Sequence, residues 1–306
     1  MKGRIAIIDL GTNTFHLLIV DCSGSQAPKI LHREKQAVKI GLGGINKGII
    51  TDAAQLRALT CLRDFKKTLN EYNVVQTKAF GTSALRGALN GVEIVQRIRQ
   101  DTGIEINLIS GEQEAEYIYF GVRSALDLGI EKSLIVDIGG GSVEFIIGNR
   151  ETIFWKQSVD IGAQRLLEKF QKHDPITAEE IQSLNTFLET ALVPLMDQLH
   201  KYEPRCLVGS SGTFDTLSEI HCVRNNIAYG ETRETPLTLQ TFEAIFNDLV
   251  TKNRAERLKI PGMIEMRVDM IVVACCLIRF LITRFSFQEV RVSTYSLKEG
   301  VLASLA

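Results

Sequence analysis

The sequence has no excess of charge of either sign. Its 306 residues include 35 lysines and arginines and 36 aspartates and glutamates, which gives a formal net charge of −1. A general basic field that would recruit nucleic acid is therefore excluded. A polyanionic ligand is compatible with this composition only if arginine and lysine side chains form a local cluster.

Long apolar runs are also absent. The longest, Met270–Ile278, lies between Asp269 and Arg279 and is too short to cross a bilayer. Asp9 interrupts the apolar stretch near the N-terminus, so we expect no signal peptide. These two features predict that the protein has no membrane partner.

Cysteine motifs are missing as well. The six cysteines form no C-x-x-C pair, and Cys275 and Cys276 lie within the apolar run, where cysteine behaves as a small hydrophobic residue. We therefore expect reduced thiols and a cytoplasmic location. The oligomeric state is not determined by the sequence, which is compatible with a homodimer.

What the sequence does contain is an alternation of strand and helix patterns. We predict strands over 5–9, 17–20, 35–40, 76–80, 105–109, 205–208 and 290–293, and two further strands on either side of a turn near 139–142. We predict helices that begin after Thr51 and Ser110 and helices over 162–171 and 177–202. This alternation indicates the α/β fold class.

The second part of the sequence repeats features of the first. Asp137 follows Asp9, and Gly209 follows Gly81, by the same interval (137 − 9 and 209 − 81, or 128 residues). In each half a predicted hairpin comes first, and a strand that ends in small residues comes later. We therefore predict a duplicated unit whose two copies face each other across a cleft.

The turn of each predicted hairpin is rich in glycine and hydroxyl groups. The two turns read D9-L-G-T-N-T14 and D137-I-G-G-G-S142. Glycine lets the backbone approach an anion closely, and the N–H groups of such turns bind phosphate. The aspartates would repel a phosphate, so their presence predicts a cation between them, most often Mg²⁺. The alternative is an ordinary hairpin with polar turn residues. The presence of two such turns in one chain favours phosphate binding over this alternative.

Several motifs together resemble one known family. They are D9-L-G-T-N-T-F-H16, G81-T-S-A-L-R86 with Asn90, I109-S-G-E-Q-E-A115, D137-I-G-G-G-S-V-E144 and G209-S-S-G-T213. Their order and spacing are similar to those of the exopolyphosphatase / guanosine-pentaphosphate phosphohydrolase family. That family belongs to the superfamily of actin, sugar kinases and heat-shock chaperone ATPases.

The resemblance implies two duplicated actin-like (ribonuclease H-like) domains that face each other across a cleft. We place the first domain at 1–123 and the second at 124–306, with the C-terminal helix docked back on the first. The implied activity is the Mg²⁺-dependent release of terminal orthophosphate from inorganic polyphosphate. Longer relatives carry a helical C-terminal domain that grips long chains, and because this sequence lacks it we expect a preference for short chains.

The resemblance also implies roles for individual residues. The implied catalytic residues are Glu114 and Glu144, and the implied Mg²⁺ ligands are Asp9, Asp137 and Glu144. The implied substrate-binding residues are Gly11, Thr12, Asn13, Thr14, Lys39, Thr82, Arg86, Gly139, Gly140, Gly141, Ser142, Gly209, Ser210, Ser211, Gly212 and Thr213.

Alternative roles exist for the charged residues in these sets. An acid at the position of Glu114 is favoured by the helix dipole whatever its function. Glu144 is suited either to hold Mg²⁺ with Asp137 or to orient the attacking water. Arg86 is suited to clamp a phosphate, but a solvated surface arginine would look the same in the sequence.

The chain departs from the family pattern at three positions. Gln113 stands where the helix start usually carries a glutamate, and Lys39 stands in place of an arginine. Near the C-terminus, T294-Y-S-L-K-E-G300 carries Lys298 where arginine is usual and lacks a preceding glycine. The geometry of this last segment therefore does not follow from the resemblance.

Three other functions are compatible with these motifs. Guanosine pentaphosphate 5′-phosphohydrolysis uses the same chemistry on a nucleotide polyphosphate. An actin-fold kinase would normally use an aspartate as base, whereas this chain offers Glu114. A non-catalytic nucleotide-binding protein would not be expected to keep Glu114, Asp137 and Glu144.

Overall fold

The computed structural model describes residues 3–24, 28–228 and 232–305. These residues form two mixed β-sheets with associated helices. The predicted α/β class is therefore confirmed. Within the described residues, no helix is long and apolar enough to cross a membrane.

Within its described residues, the first half of the chain contains a five-stranded sheet and four α-helices. Its strands are β1 (Arg4–Leu10), β2 (Thr14–Asp21), β3 (Lys29–Ala37), β4 (Gln76–Gly81) and β5 (Ile106–Leu108). Its helices are α1 (Asp52–Glu71), α2 (Ser83–Gly87), α3 (Gly91–Thr102) and α4 (Gly111–Ala125).

The second half contains a six-stranded sheet and the remaining helices. Its strands are β6 (Ser133–Ile138), β7 (Val143–Gly148), β8 (Ile153–Val159), β9 (Cys206–Ser210), β10 (Glu234–Pro236) and β11 (Glu289–Ser293). Its helices are α5 (Ala163–Phe170), α6 (Ala178–Ala191), α7 (Val193–Tyr202), α8 (Ser211–Arg224), α9 (Leu239–Thr251), α10 (Arg254–Arg257), α11 (Ile271–Arg284) and α12 (Leu297–Ala303).

The two sheets have the same topology. The strand order is β3-β2-β1-β4-β5 in the first and β8-β7-β6-β9-β11 in the second, where β10 adds an edge strand. In both, the first three strands of this order are antiparallel neighbours and the last three are parallel. The predicted duplication is therefore confirmed.

The strand registers of the two halves differ. In the first sheet Asp9 lies opposite Phe80, whereas in the second Asp137 lies opposite Ser210. The first-half counterpart of Ser210 is Thr82, which comes two positions after Phe80. The register of β9 against β6 therefore differs by two residues from the register of β4 against β1.

Apolar side chains form three cores, and strand alternation divides them. On β1, Ala6, Ile8 and Leu10 pack with the helices α1 and α3, whereas Ile5 and Ile7 face the opposite side. That opposite side is a central core, which also receives side chains from α4, α12 and the second sheet. The third core lies on the far face of the second sheet. Because the central core is shared, burial of apolar surface holds the two halves together.

Helices α4 and α12 cross at a pair of glycines within this central core. A Cβ atom on Gly121 would overlap the carbonyl oxygen of Ser296, and one on Gly300 would overlap that of Tyr117. The close crossing therefore requires glycine at both positions. It places the C-terminal helix against the last helix of the first half. The division predicted between residues 123 and 124 falls in the last turn of α4 and stays a prediction.

The predicted helix starts agree with side-chain caps. Thr51 Oγ1 accepts a hydrogen bond from the backbone N–H of Ala54 at 3.3 Å, and Ser110 Oγ accepts one from that of Gln113 at 3.1 Å. Each cap satisfies a backbone donor that the first helical turn leaves unpaired.

Some predicted elements were wrong. The strand predicted over 35–40 is β3 at Lys29–Ala37, and it ends before Lys39, whose φ of 49° is left-handed. The helix predicted over 177–202 is divided into α6 and α7 at Leu192, because Pro194 in the first turn of α7 has no N–H to continue the earlier helix. The short strand β10 and the strand β8 were not predicted.

Candidate active site

A narrow cleft lies between the two halves, where β1 and β6 end. Its volume is about 80 Å³. The residues that line it are Asp9, Gly11, Thr12, Asn13, Thr14, His16, Thr82, Ser83, Glu114, Ile118, Asp137, Ile138, Gly139, Gly140, Gly141, Ser142, Glu144, Ser211, Arg267, Ser296 and Leu297. The carboxylates predicted as catalytic or metal-binding residues therefore meet in one place.

The glycine turns of the two halves are in contact across this cleft. A Cβ atom on Gly140 would overlap the amide of Asn13, and one on Gly141 would lie 2.6 Å from both Thr12 Oγ1 and Ser83 Oγ. Glycine is therefore needed here for the approach of one turn to the other. The backbone N–H groups of both turns border the same small space.

Glu114 is held at the start of α4. Its side chain is 7% exposed, and its Oε2 accepts a hydrogen bond from Arg86 Nη1 at 2.8 Å. The same Arg86 nitrogen lies 2.9 Å from the carbonyl oxygen of Ile109. Both contacts involve Nη1 of a side chain that is only partly buried, so the predicted phosphate clamp stays a prediction for the rest of the guanidinium. Arg86 positions Glu114.

Glu144 begins β7 and is almost fully buried. Its Oε1 accepts a hydrogen bond from Ser158 Oγ of the neighbouring strand β8 at 2.7 Å. Because β8 was not predicted, the sequence offered no signal for this partner. The hydrogen bond restricts the orientation of the carboxylate on the floor of the cleft.

Asp9 and Asp137 have different surroundings, although they occupy equivalent positions. Oδ1 of Asp9 is buried and has no hydrogen-bond partner in the described part of the chain. Oδ2 of Asp137 instead accepts hydrogen bonds from Ser210 and Ser211 at 2.7 Å and from Ser296 at 2.6 Å. Asp9 is thus left with an unpaired polar atom, which is costly unless a ligand reaches it.

Burial and mutual repulsion perturb the acids of the cleft. Burial, followed by repulsion from Glu114, raises the pKa of Asp9 to about 7. Burial raises the pKa of Glu114 as well, against the opposing effect of Arg86. Burial and repulsion from Glu114 and Asp137 raise the pKa of Glu144 well above its ordinary value. The acids of the cleft therefore take up a proton more readily than exposed carboxylates do.

The donor set suits Mg²⁺ better than a cation that needs a complete protein cage. Among the described residues, no group of three or more His, Cys, Asp or Glu side chains is assembled as a ready set of metal ligands. Mg²⁺ keeps several waters and commonly binds through one or two carboxylates and substrate phosphates. The unpaired oxygen of Asp9, together with one further carboxylate from Asp137 or Glu144, fits this mode of binding.

The sequence also suggested that Glu265, Arg267 and Asp269 border the cleft from the second half, and of these Arg267 lines it. Arg267 lies just before α11, and its guanidinium lies so close to Gly212 that a Cβ there would overlap it. The guanidinium forms no ion pair or hydrogen bond with the residues that the structure describes. A cation is therefore available in the cleft for an anionic ligand.

The predicted substrate-binding residues fall into two sets. Those that line the cleft are Gly11, Thr12, Asn13, Thr14, Thr82, Gly139, Gly140, Gly141, Ser142 and Ser211. Those that do not are Lys39, Arg86, Gly209, Ser210, Gly212 and Thr213.

The segment G209-S-S-G-T213 was predicted to be a third loop that binds phosphate; the structure shows no loop here, and phosphate binding stays a prediction. Gly209 and Ser210 end β9, and α8 begins at Ser211 without an intervening loop. A Cβ atom on Gly209 would overlap the ring of Phe214. The small residues here make room for Phe214 and Arg267 and support Asp137.

Lys39 lies outside the cleft. It lines a separate cavity of about 350 Å³, and its Nζ lies 3.8 Å from Asp269 Oδ2. The left-handed backbone at Lys39 turns the chain away from the end of β3. This placement could not be inferred from a strand assigned to 35–40.

Two further lining residues were not identified from the sequence as functional. Ser296 precedes α12 and reaches Asp137, and Ser83 donates a hydrogen bond to Asp160 at 3.3 Å. His16, the last residue of the motif that begins at Asp9, also lines the cleft. The missing glycine before Leu297 was the only sequence signal for the unusual Ser296 segment.

The comparisons with known proteins cover both halves of the chain. The model of the Ppx/GppA phosphatase family matches residues 19–306. Exopolyphosphatase 1 of Mycobacterium tuberculosis is 26% identical over 300 residues, which cover 98% of this chain and 87% of that protein.

Solved structures give the same result. An exopolyphosphatase from Cytophaga hutchinsonii is 45% identical with a TM-score of 0.95, and the match covers 99% of this chain and 97% of that one. A Ppx/GppA family member from Aquifex aeolicus is 26% identical with a TM-score of 0.80, over 99% of this chain and 97% of that one. The chain therefore shares the fold of these family members over nearly its whole length, with the two duplicated halves described above.

The raised pKa of Asp9 predicts a stability that falls as pH rises. Between pH 4 and pH 7 the unfolded state loses this proton while the folded state retains it, so ionisation opposes folding increasingly up to about pH 7 and fully above it. Asp9→Asn removes the ionisable group. In the absence of divalent cations we expect Asp9→Asn to raise the free energy of unfolding by about 1–4 kcal/mol at pH 8 and by much less at pH 4.

Denaturant unfolding at the two pH values measures this difference. Asp197→Asn, at an exposed position of α7, is the control and should change stability by less than about 0.5 kcal/mol at either pH. An Asp9→Asn variant that is less stable than the wild type at pH 8 would contradict the electrostatic description of the cleft.

Proposed function

The chain belongs to the Ppx/GppA phosphatase family, and we propose that it releases terminal orthophosphate from inorganic polyphosphate in a reaction that requires Mg²⁺. The names of the exopolyphosphatases to which it is similar support the substrate. The observation that carries the proposal is the buried Glu114, which Arg86 fixes at the edge of a cleft bordered by both glycine turns.

Hydrolysis of a phosphoanhydride needs a positioned water and neutralisation of charge on the phosphoryl oxygens. We assign Glu114 as the group that accepts a proton from the water. Burial, which raises its pKa, makes it a stronger base near neutral pH than an exposed glutamate. Arg86 keeps its carboxylate in one orientation, so that less reorganisation is required when the water attacks.

The terminal phosphate would lie between the two glycine turns. Gly140 and Gly141, whose backbone N–H groups are suited to bind phosphate oxygens, border this space together with Thr12 and Thr14. The unpaired guanidinium of Arg267 adds a bidentate donor on the side of the second half. These groups stabilise negative charge where it develops during transfer.

The carboxylates of Asp9, Asp137 and Glu144 would hold the metal ion. Bound there, Mg²⁺ supplies positive charge to phosphoryl oxygens and to the leaving group. The orphaned oxygen of Asp9 supports this assignment, because a buried acceptor without a donor is satisfied by a cation. Ser158 orients Glu144, and the serines around Asp137 orient that carboxylate.

The small number of cations at the cleft favours short substrates. Of the described residues that line it, only Arg267 carries a permanent positive charge, and Lys39 lies in a different cavity and faces Asp269. Processive binding of a long polyanion requires many phosphate contacts. We therefore propose that products leave after each cut. The cytoplasmic location and the homodimer stay predictions.

Phosphate release tests the function directly. Tripolyphosphate, long-chain polyphosphate, guanosine pentaphosphate and ATP would be assayed side by side with Mg²⁺, with electrophoresis of the long chains. We expect release from polyphosphate, at least as efficiently from tripolyphosphate as from long chains, and a ladder of intermediate lengths. If orthophosphate is released only from guanosine pentaphosphate, that nucleotide is the substrate and polyphosphate is not. If long chains disappear without intermediates, the proposed preference for short chains is contradicted.

Glu114→Gln tests the proposed base. Loss of a general base commonly costs about 10²–10⁴-fold in rate, so we expect kcat to fall by that factor while substrate still binds. Glu112→Gln is the matched control, because Glu112 lies in the same first turn of α4 but is exposed. The control should retain kcat. If Glu114→Gln keeps more than half of the wild-type kcat, another group activates the water.

A further inference from the structure

The two duplicated aspartates are held very differently. Three serine hydroxyls donate hydrogen bonds to one oxygen of Asp137, Oδ2, at 2.6–2.7 Å. The equivalent Asp9 receives no such set, and its Oδ1 lacks a partner among the described residues. A duplicated fold has thus produced one constrained and one unconstrained carboxylate.

The two-residue displacement of register explains the difference. Because β9 is displaced relative to β6, Ser210 lies directly opposite Asp137 and Ser211 follows it. Their first-half counterparts, Thr82 and Ser83, lie beyond Asp9, since Asp9 pairs with Phe80. Accordingly Thr82 Oγ1 donates to the carbonyl oxygen of Leu10, and Ser83 Oγ donates to Asp160.

Ser211 reaches Asp137 from an unfavourable backbone conformation. Its φ is 70°, in the left-handed region that residues with a Cβ rarely adopt. The chain passes directly from β9 into α8 at this residue, without an intervening loop. This places Ser211 Oγ 2.7 Å from Asp137 Oδ2. Strained residues of this kind persist where the surrounding structure determines them and are concentrated at functional sites.

The third hydroxyl comes from a distant part of the chain. Ser296 precedes α12, and its Oγ lies 2.6 Å from Asp137 Oδ2 and 3.3 Å from Ser211 Oγ. The backbone N–H of Ser296 donates to Glu299 at 3.1 Å, which fixes the start of α12. Through the glycine crossing of α12 with α4, this serine connects Asp137 to the helix that carries Glu114.

Three donors occupy all the accepting capacity of one carboxylate oxygen. An ionised carboxylate has about four lone-pair sites on its two oxygens, or about two on each. Oδ2 of Asp137 is therefore saturated, and only Oδ1 is available to a ligand in the cleft. A carboxylate fixed in this way can bind a cation through one oxygen only.

We infer that Ser210, Ser211 and Ser296 act as positioning residues, which hold Asp137 so that Oδ1 alone binds the metal ion. Asp9, which lacks this support, is the carboxylate that adjusts as ion and substrate bind. The inference rests on the proposed function for the role of Asp137. It extends that proposal to residues that act through Asp137.

Metal affinity and turnover of five variants test this inference. The variants are Ser211→Ala, Ser211→Gly, Ser296→Ala, the double variant Ser211→Ala/Ser296→Ala, and Ser296→Thr, each measured as full-length protein. The dissociation constant for Mn²⁺ is measured by titration calorimetry in the presence of orthophosphate, and kcat, KM and the Mg²⁺ concentration for half-maximal activity are measured with tripolyphosphate. Loss of residues that orient metal ligands typically costs 10–100-fold in affinity or activity.

We expect the double variant to bind Mn²⁺ about 10–100-fold more weakly and to lose kcat, with KM changed less than threefold. Ser296→Thr retains a hydroxyl and should keep most of the affinity. Ser211→Gly should melt at a higher temperature than Ser211→Ala, because glycine relieves the left-handed strain, yet bind Mn²⁺ as weakly.

Ser218→Ala is the matched control. Ser218 lies on α8, the helix that begins at Ser211, and it is buried. Its hydroxyl donates a hydrogen bond to the carbonyl oxygen of Pro236 at 2.7 Å and makes no contact with Asp137. This variant should lower the melting temperature without changing Mn²⁺ affinity, which separates positioning from general support of the fold.

Asp137→Asn distinguishes two ways in which the inference fails. If Asp137→Asn abolishes Mn²⁺ binding while the double serine variant binds like the wild type, the serines only satisfy a buried carboxylate and the inference is overturned. If Asp137→Asn itself changes neither Mn²⁺ binding nor turnover, the inference falls together with the proposed role of Asp137 in the reaction.

Discussion

Negative charge confined between two halves of one fold is the constraint on which the remaining structure depends. Asp9, Glu114, Asp137 and Glu144 line one narrow cleft, and only Glu114 has an arginine in direct contact. Burying carboxylates without compensating charge opposes folding. The shared central core of both sheets, α4 and α12 holds the halves together against this repulsion, so that apolar burial maintains a site that would otherwise separate.

Duplication explains why such a site arises at all. Each copy of the unit ends its first strand in an aspartate and a glycine-rich turn, and pairing the copies brings two aspartates and two turns to one cleft. Their environments then diverge through small differences in packing. A two-residue change of register gives Asp137 three hydroxyl donors and leaves Asp9 with an orphaned oxygen. Equivalent residues thus become chemically different without any change in the type of residue.

Features that depend on local chemistry could be predicted from the sequence. The strands around Asp9 and Asp137, the capped starts of α1 and α4, and the 128-residue repeat all follow from patterns within short segments. Features that depend on distant contacts could not. The role of G209-S-S-G-T213 depends on Phe214, Arg267 and Asp137, and the position of Lys39 depends on a left-handed turn after β3. The contact of Arg86 with Glu114 could not be predicted, because it depends on the packing of α2 beside the start of α4. Ser296, near the end of the chain, reaches Asp137 only because α12 returns to α4.

The most direct test of the account is to locate the cation. Crystals grown with Mn²⁺ and orthophosphate would show the ion by anomalous scattering, independently of any activity measurement. The account predicts a peak inside the cleft, in contact with the carboxylate of Asp9 and with Oδ1 of Asp137, and with phosphate beside it between the glycine turns. A cleft free of the ion, with Mn²⁺ bound only elsewhere on the protein at concentrations that support turnover, would contradict the claim that these buried acids form a cation site.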